Sequence, residues 1–420
     1  MCAYECVAVG TGLKCLGNSE LSPDGDVLFD SHAEVVCRRH FLTYLYNEMN
    51  LCLDSSSSVL RQSTPGRFKL APGVEFHLYV SQAPCGDASM TCLDRSQSDD
   101  TRKANEEKKR RFISRRDEEI SDESPANKRP KTEMHGADDS VSLAGPPTQS
   151  PSAPATQSMD QSDSVADVSP ECAEPLVVSS ANMVASGVLR GRDSYNLLGV
   201  LRTKPGRIDA DSTNSLSCSD KIAKWMVVGL GGALVASLMD PIYLSTITIG
   251  AFYNHADAYR AFIDRLEGIV DLPPLYRVQV PEIFHSKVPF PFSRVAVTKN
   301  ENTRPISADA SIGWSSPSDD SEVTVCGRKQ GFSAKKAKNN ERARPSISKL
   351  SLFKLHQEVL SRVNPSAASS TSSQTYRQAK QANSEYQLAK SRLYVGRFAG
   401  WLICDPMYEA FKVEGSANTE

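Results

Sequence analysis

Long apolar runs are missing from this chain of 420 residues. The longest, Trp225 to Met239, contains Gly229, Gly231 and Gly232 and stops at Asp240-Pro241. A bilayer-spanning helix needs about 20 apolar residues, so this run is expected to be a buried helix of a soluble protein, with no membrane partner. A basic leader is missing too: the chain opens Met1-Cys2-Ala3-Tyr4-Glu5-Cys6, and its 11 cysteines do not pair evenly. Both observations exclude a secreted disulfide scaffold as the first reading and favour a reducing compartment, nucleus or cytoplasm. A dominant charge sign is missing as well. Lys and Arg total 48 against 50 Asp and Glu, a net charge of -2. Any case for a nucleic-acid partner must therefore be local. Finally, Lys and Arg are absent from Met134 to Leu189, a stretch crowded with Ser, Pro, Ala and Asp.

That last absence organises the chain. From 95 to 185 the composition cannot bury enough apolar surface to offset the entropy of ordering, and a disordered insertion is expected. Its first third carries Lys108-Lys109-Arg110-Arg111 and Lys128-Arg129-Pro130-Lys131, either nuclear-localisation or RNA-contacting clusters, or simply a solvated charged segment. The pattern before the insertion resumes after it, so 1–94 and 186–420 read as two parts of one domain. Strands are expected at Cys6–Val9, Lys14–Leu16 and Val74–Val80, with a turn at Ser22–Asp26 and a helix from His32 to about Met49. After the insertion come a helix at 219–238, a strand at 242–250, a helix at 256–266 and strands at 310–314 and 322–326. Two helical stretches at 346–363 and 376–397 close the chain, split by the Ser-rich 367–374. Strand–helix alternation argues an α/β layered sheet.

Three short motifs carry chemistry: Asp30-Ser31-His32-Ala33-Glu34 at a helix start, Ala83-Pro84-Cys85-Gly86-Asp87 after a strand, and Cys218-Ser219-Asp220-Lys221 opening a helix. One imidazole and two thiolates are able to hold Zn2+ with a fourth position left for water, and a non-ligating Glu then shuttles the proton. Cysteines at helix N-termini are biased toward thiolate. The compact Pro-Cys-x-x-Cys form is absent, because Ala88 stands three residues after Cys85. The second thiolate must come from elsewhere, and Cys218 is the best candidate. Taken singly, each motif has a plainer reading: Ser31-x-x-Glu34 is also a capping box, and Cys85 alone is more often a small buried hydrophobe. Their ordered conjunction favours zinc, with His32, Cys85 and Cys218 as ligands and Glu34 as catalytic acid–base.

These motifs, with Gly10-Thr11-Gly12, Leu201-Arg202-Thr203-Lys204, Cys218 to Trp225 and Asp240-Pro241-Ile242-Tyr243, resemble the adenosine deaminase domain shared by the RNA-editing adenosine deaminases and the eukaryotic tRNA-specific adenosine deaminases. The resemblance implies a three-layer α/β/α cytidine-deaminase-like core with a C-terminal helical/β extension. It implies hydrolytic conversion of adenosine to inosine. Asp30-Ser31 and Thr203 to Arg207 look like the tRNA branch, whose target is position 37 of alanine tRNA, 3′ of the anticodon; an editor of duplex or messenger RNA, or a truncated and catalytically inactive RNA-binding relative, is the alternative. No double-stranded-RNA-binding domain is expected. The family also buries inositol hexakisphosphate. The positions matching its ligands are Arg38, Arg39, Lys221, Lys224, Trp225, Lys349, Tyr376, Lys380, Tyr386, Lys390 and Trp401, and Asp30 and Lys204 match the relay joining it to the zinc. A basic tail fits this: 13 Lys or Arg lie between Lys335 and Arg397 against Glu341, Glu358 and Glu385. Buried cations at this density repel one another unless a polyanion compensates them. Lys14 and Arg207 are candidate RNA contacts.

Departures from the family are also visible. Lys224 stands where Arg is common, which loses a bidentate phosphate contact. Leu13 replaces a usual threonine, and Phe29 a polar residue. Nine residues precede Gly10, where the family has a helix and a strand, so the expectation is a sheet lacking that edge and a site whose activity depends on it.

Overall fold

The computed structural model describes residues 4–96, 187–191, 193–204, 210–299, 308–332, 334–337, 340–365 and 373–413, with isolated positions at 100, 103–104, 107, 110–111, 114 and 306. By internal contact the chain divides into a unit formed by 1–110 and 177–420 and a second formed by 111–176. The second unit, and nearly all of the insertion expected at 95–185, lie outside the described residues apart from the isolated positions named. The first unit carries the fold.

That fold is a mixed α/β structure. Strand β1, Ala8–Gly10, opens it, followed by helix α1, Ala33–Leu53. A hairpin comes next, β2 at Leu60–Thr64 and β3 at Arg67–Leu70, then β4 at Phe76–Gln82 and the short helix α2 at Met90–Arg95. After the insertion, β5 at Leu189–Arg190 and β6 at Arg202–Thr203 form a small parallel pair. Helices α3, Cys218–Val228, and α4, Gly232–Ala236, lead into β7 at Leu244–Ala251, α5 at His255–Phe262 and β8 at Glu282–His285. Strands β9, Ala310–Ser315, β10, Glu322–Val325, and β11, Arg328–Lys329, precede helices α6, Lys349–Val363, α7, Tyr376–Gln381, and α8, Ser384–Leu393.

Two sheets matter for the site. One is parallel, in the order β4-β7-β8, with Val80 opposite Ile249 and Ile249 opposite His285. Its central strand buries Ile247 and Ile249 completely, as a strand covered on both faces must. The other is antiparallel, β1-β9-β10-β11, with Val9 opposite Trp314. The main core joins α1 through Leu45 and Met49, α3 through Ile222 and Met226, and α5 through Ala258 and Phe262. Helix starts follow capping chemistry. Ser217, Asn254, Ser348, Thr375 and Asn383 each accept a backbone N–H from the first turn they precede.

Several expectations need correcting. The strand at Lys14–Leu16 is only an isolated bridge, Cys15 to Asp30. The helix expected over 219–238 breaks at Gly229, whose φ of 74° leaves the helical region while Leu230 N–H donates to Ile242 O. The stretch expected as one helix over 376–397 is two, because the chain re-caps at Asn383. The β2–β3 hairpin and β8 carry no alternating apolar signal, and sequence reasoning missed both. Most of the Ser-rich 367–374 lies outside the described residues.

A candidate metal centre beside a cationic cluster

The site forms where three chain turns meet. The Gly10-Thr11-Gly12 turn passes beneath the start of α1, and Ala33 N–H donates to Gly12 O at 3.0 Å. Gly12 has φ 131°, and a Cβ there would lie 2.0 Å from Ser31 O, so backbone conformation and space both demand glycine. The Pro84-Cys85-Gly86 turn leaves β4 and is clasped by the first turn of α3. Ser219 N–H donates to Cys85 O at 3.0 Å, and Ser219 Oγ to Cys85 O at 2.9 Å. Gly86, φ 97°, sits so close that a Cβ would strike Ser217 Oγ at 2.1 Å.

These turns bring His32, Cys85 and Cys218 together. His32 Nδ1 lies 3.7 Å from Cys85 Sγ and 3.6 Å from Cys218 Sγ, and the three ligand atoms all fall within 4.8 Å of one another. Two thiols and an imidazole converging at this spacing suit a tetrahedral Zn2+. The hydrogen bond with the Cys218 thiol, against the penalty of burial, holds the Cys85 thiol well below the usual range, and burial pushes Cys218 up. A metal bound at this spacing would favour the thiolate form of both cysteines. Glu34 Oε2 lies 3.0 Å from Cys218 Sγ. The capping-box alternative for Glu34 is not realised, since His32 is the N-cap of α1 and makes no side-chain cap bond.

Asp30 stands behind the histidine. Its Oδ1 accepts from His32 N–H at 3.1 Å and from the Cys15 thiol at 3.3 Å. Its Oδ2 accepts from Lys204 Nζ at 2.8 Å, Ser215 Oγ at 2.7 Å and Lys221 Nζ. Lys204, 3% exposed, also reaches Cys218 Sγ at 3.2 Å. Burial alone would lower its pKa; Asp30 and the two cysteines outweigh that and raise it well above the ordinary lysine value. The converse holds for Asp30: burial would raise it, but Lys204 and Lys221 hold it well below the carboxylate range.

A second cluster begins one helical turn further along α1. Arg38 and Arg39 meet Lys224 from α3, Lys349 from α6, Lys380 from α7 and Lys390 from α8, with Trp225, Tyr376, Tyr386, Tyr394 and Trp401 between them. Arg38 lies over the Trp225 ring at 5.4 Å, and Lys224 over Trp401 at 4.7 Å. Lys224 Nζ donates to Tyr394 OH at 2.7 Å, and Lys349 Nζ to Tyr408 O at 3.1 Å. Among the described residues Glu409 is the one carboxylate ion-paired with these six cations, through Lys380 and Lys349. Burial first, then Lys390, Lys380 and Arg38, pulls Lys224 well below the ordinary lysine value. The buried Arg38 Nε has no hydrogen-bond partner. Excess cation and an unpaired donor both suit a compact polyanion.

Lys221 faces Asp30 and Ser215 and so stands between the two clusters. Lys14 pairs with Asp309 at 3.1 Å on the surface. Arg207 lies outside the described residues. Sequence reasoning missed Tyr394, Glu409, Cys15 and Ser215, none of which sits in a motif.

Residues 8–403 match the family model of the adenosine-deaminase (editase) domain. The chain is 32% identical to tRNA-specific adenosine deaminase 1 of Mus musculus and 33% identical to that of Homo sapiens, each over 97% of this chain and 88% of the relative. It is 29% identical to the double-stranded RNA-specific editase Adar of Drosophila melanogaster, over 67% of this chain and 32% of the relative. The chain belongs to the adenosine-deaminase (editase) domain family.

Proposed function

We propose that this chain hydrolyses adenosine to inosine in tRNA, with the adenosine 3′ of the anticodon of alanine tRNA, position 37, as its target. The observation that carries the reading is the Glu34 carboxylate poised 3.0 Å from Cys218 Sγ inside the His32, Cys85, Cys218 cluster. His32, Cys85 and Cys218 are the proposed zinc ligands. A bound Zn2+ lowers the pKa of water toward neutrality. Glu34 would accept a proton from the attacking water and return one to the departing amine, so that adenosine and water become inosine and ammonia. Asp30 orients the start of α1 through the His32 N–H, and Lys204 lends positive charge beside Cys218, which favours the thiolate. The target base must leave its stack, and an unpaired anticodon loop makes that cheaper than a duplex does.

The tRNA assignment is supported by coverage. The tRNA-specific relatives align over 97% of this chain, the Drosophila editase over 67%. Inositol hexakisphosphate is the proposed occupant of the cationic cluster, held by Arg38, Arg39, Lys224, Lys349, Lys380 and Lys390, with Lys221 and Asp30 linking it to the metal side. Action in the nucleus or cytoplasm belongs to the same reading.

The test is to incubate the chain with alanine tRNA and, in parallel, with a long perfect RNA duplex, and to sequence both for inosine. Inosine beside the tRNA anticodon is the expected result; inosine in the duplex alone would transfer the assignment to editing. Glu34→Ala should keep its metal and lose about 10²–10⁴-fold in turnover. Near-normal turnover in that variant would remove Glu34 from the mechanism.

A further inference from the structure

Each thiol of the metal cluster is followed two residues later by a buried aspartate: Cys85-Gly86-Asp87 and Cys218-Ser219-Asp220. Both aspartates are fully buried, and both approach one guanidinium. Arg265, just past α5, donates from Nη1 to Asp220 Oδ1 at 2.7 Å, and its Nε lies 3.8 Å from Asp87 Oδ2. The guanidinium is itself immobilised. Nε and Nη2 donate to Ala261 O at 3.3 and 3.2 Å, and the Phe398 ring lies 5.2 Å beneath it. The remaining carboxylate valences are filled. Asp87 accepts from Arg260 Nε at 3.0 Å and Gly199 N–H at 2.7 Å. Asp220 accepts from Ser217 Oγ at 2.6 Å and Arg202 N–H at 3.0 Å.

We propose that Arg265 is a positioning residue that sets the spacing of Cys85 and Cys218, by hydrogen-bonding Asp220 while its guanidinium charge lies beside Asp87. This rests on the reading of the cluster as a metal centre. The two thiols come from turns far apart in sequence, and the turns touch directly through Ser219 N–H and Oγ on Cys85 O, Cys218 N–H on Cys85 Sγ, and Ala88 N–H on Ser219 Oγ. Among the described residues, Arg265 is the side chain that ion-pairs with the aspartates beyond both thiols. The planar guanidinium donates to Asp220 through Nη1 while Nε and Nη2 are fixed on Ala261 O; a lysine ammonium keeps the charge but not the geometry. Partners that hydrogen-bond a metal ligand directly typically govern metal affinity by about 10–100-fold; acting through the aspartate beyond each thiol, Arg265 belongs at the low end of that range.

The experiment uses the purified full chain, stripped of metal under reducing conditions and titrated with Co2+, whose thiolate charge-transfer and ligand-field bands report the sulfur geometry. Arg265→Lys is the decisive variant. Its Co2+ dissociation constant should rise about 10-fold or more and its bands should change, while the melting temperature of the metal-free protein stays close to wild type. Arg265→Gln should weaken binding further. Wild-type affinity and spectrum in Arg265→Lys would overturn the inference alone, leaving a structural cation. No thiolate–cobalt band in the wild-type chain would overturn the metal reading and this inference with it. Because Arg265→Lys keeps the charge, the test stands even if Arg265→Gln fails to fold.

Discussion

Two groups of cations meet α3, a largely buried one at Asp220 and a half-buried one at Lys224, and they are balanced in opposite ways. In the first, Arg202, Arg260 and Arg265 are set against Asp87, Asp220 and Asp257. Arg260 bonds both Asp87 and Asp257, and Arg265 bonds Asp220. Arg202 spends its guanidinium on the carbonyls of Gly191, Asp193, Ser194 and Leu197. In the second, six cations from five helices share Glu409. A buried ion pair must recover the desolvation of both partners. The first group does so from within the chain, Arg202 Nε alone being left without a hydrogen-bond partner among its guanidinium nitrogens. The second leaves the cost open, and Lys224 records it as a strongly lowered pKa. The difference separates scaffold from binding site: a closed network holds backbone turns in place, whereas an excess of one sign implies a counter-charge from outside the chain.

The comparison can be broken by substitution. Arg265→Leu strips the shared cation from two buried carboxylates and should cost about 3–5 kcal/mol, read as a fall in the urea midpoint that added polyanion does not restore. A next, smaller effect comes from acid. His356 packs on Phe353 behind the cationic cluster, and burial lowers its pKa to about 4. The unfolded chain binds that proton below its ordinary value of 6.5, the folded one only near pH 4. Stability should therefore fall as the pH drops between those limits, by on the order of 3 kcal/mol for this residue, and His356→Phe should flatten the decline in a pH series of thermal melts. An unchanged slope would clear His356 of the effect.

The smallest change has the most telling sign. Lys224→Met removes one cation from the unbalanced cluster. In protein freed of polyanion it should leave stability unchanged or raise it by about 1 kcal/mol. With inositol hexakisphosphate added it should be destabilising relative to wild type, by weakening the bound state that the ligand stabilises. The polyanion-free wild type should also gain stability as pH rises toward 10.5, because unfolded lysines hold protons that folded Lys224 does not. A Lys224→Met effect of one sign with and without the polyanion would contradict the assignment of the cluster as an anion site.

The legibility of the molecule tracks the range of the interactions involved. His32, Glu34, Cys85 and Cys218 were readable because each sits in a short motif whose residue types suit only a few chemistries. The starts of α1, α3, α5 and α6 were readable to within a few residues, since capping and apolar period are local. The β2–β3 hairpin was not, because Leu60 and Phe68 are the buried anchors of strands otherwise largely polar and exposed. Nor was β8, an edge strand whose Phe284 remains 48% exposed. Tyr394 and Glu409 escaped because nothing in their neighbourhoods distinguishes them from ordinary tail residues; they matter through Lys224, Lys380 and Lys349.

By itself, then, the sequence determined the chemical kit and its order along the chain: an imidazole with a neighbouring carboxylate, two separated cysteines, and a surplus of cations in the tail. Those are matters of residue type, and residue type is written in one dimension. The tertiary structure alone set the distances, with Cys218 Sγ at 3.6 Å from His32 Nδ1, and alone decided that cations from five helices converge on one region. It alone decided that Arg265 closes a network over both thiol turns. Such facts depend on distances between segments separated by tens to hundreds of residues. Those distances are set by how the α1, α3, α5 and α8 surfaces bury against the rest of the core, which no local pattern encodes.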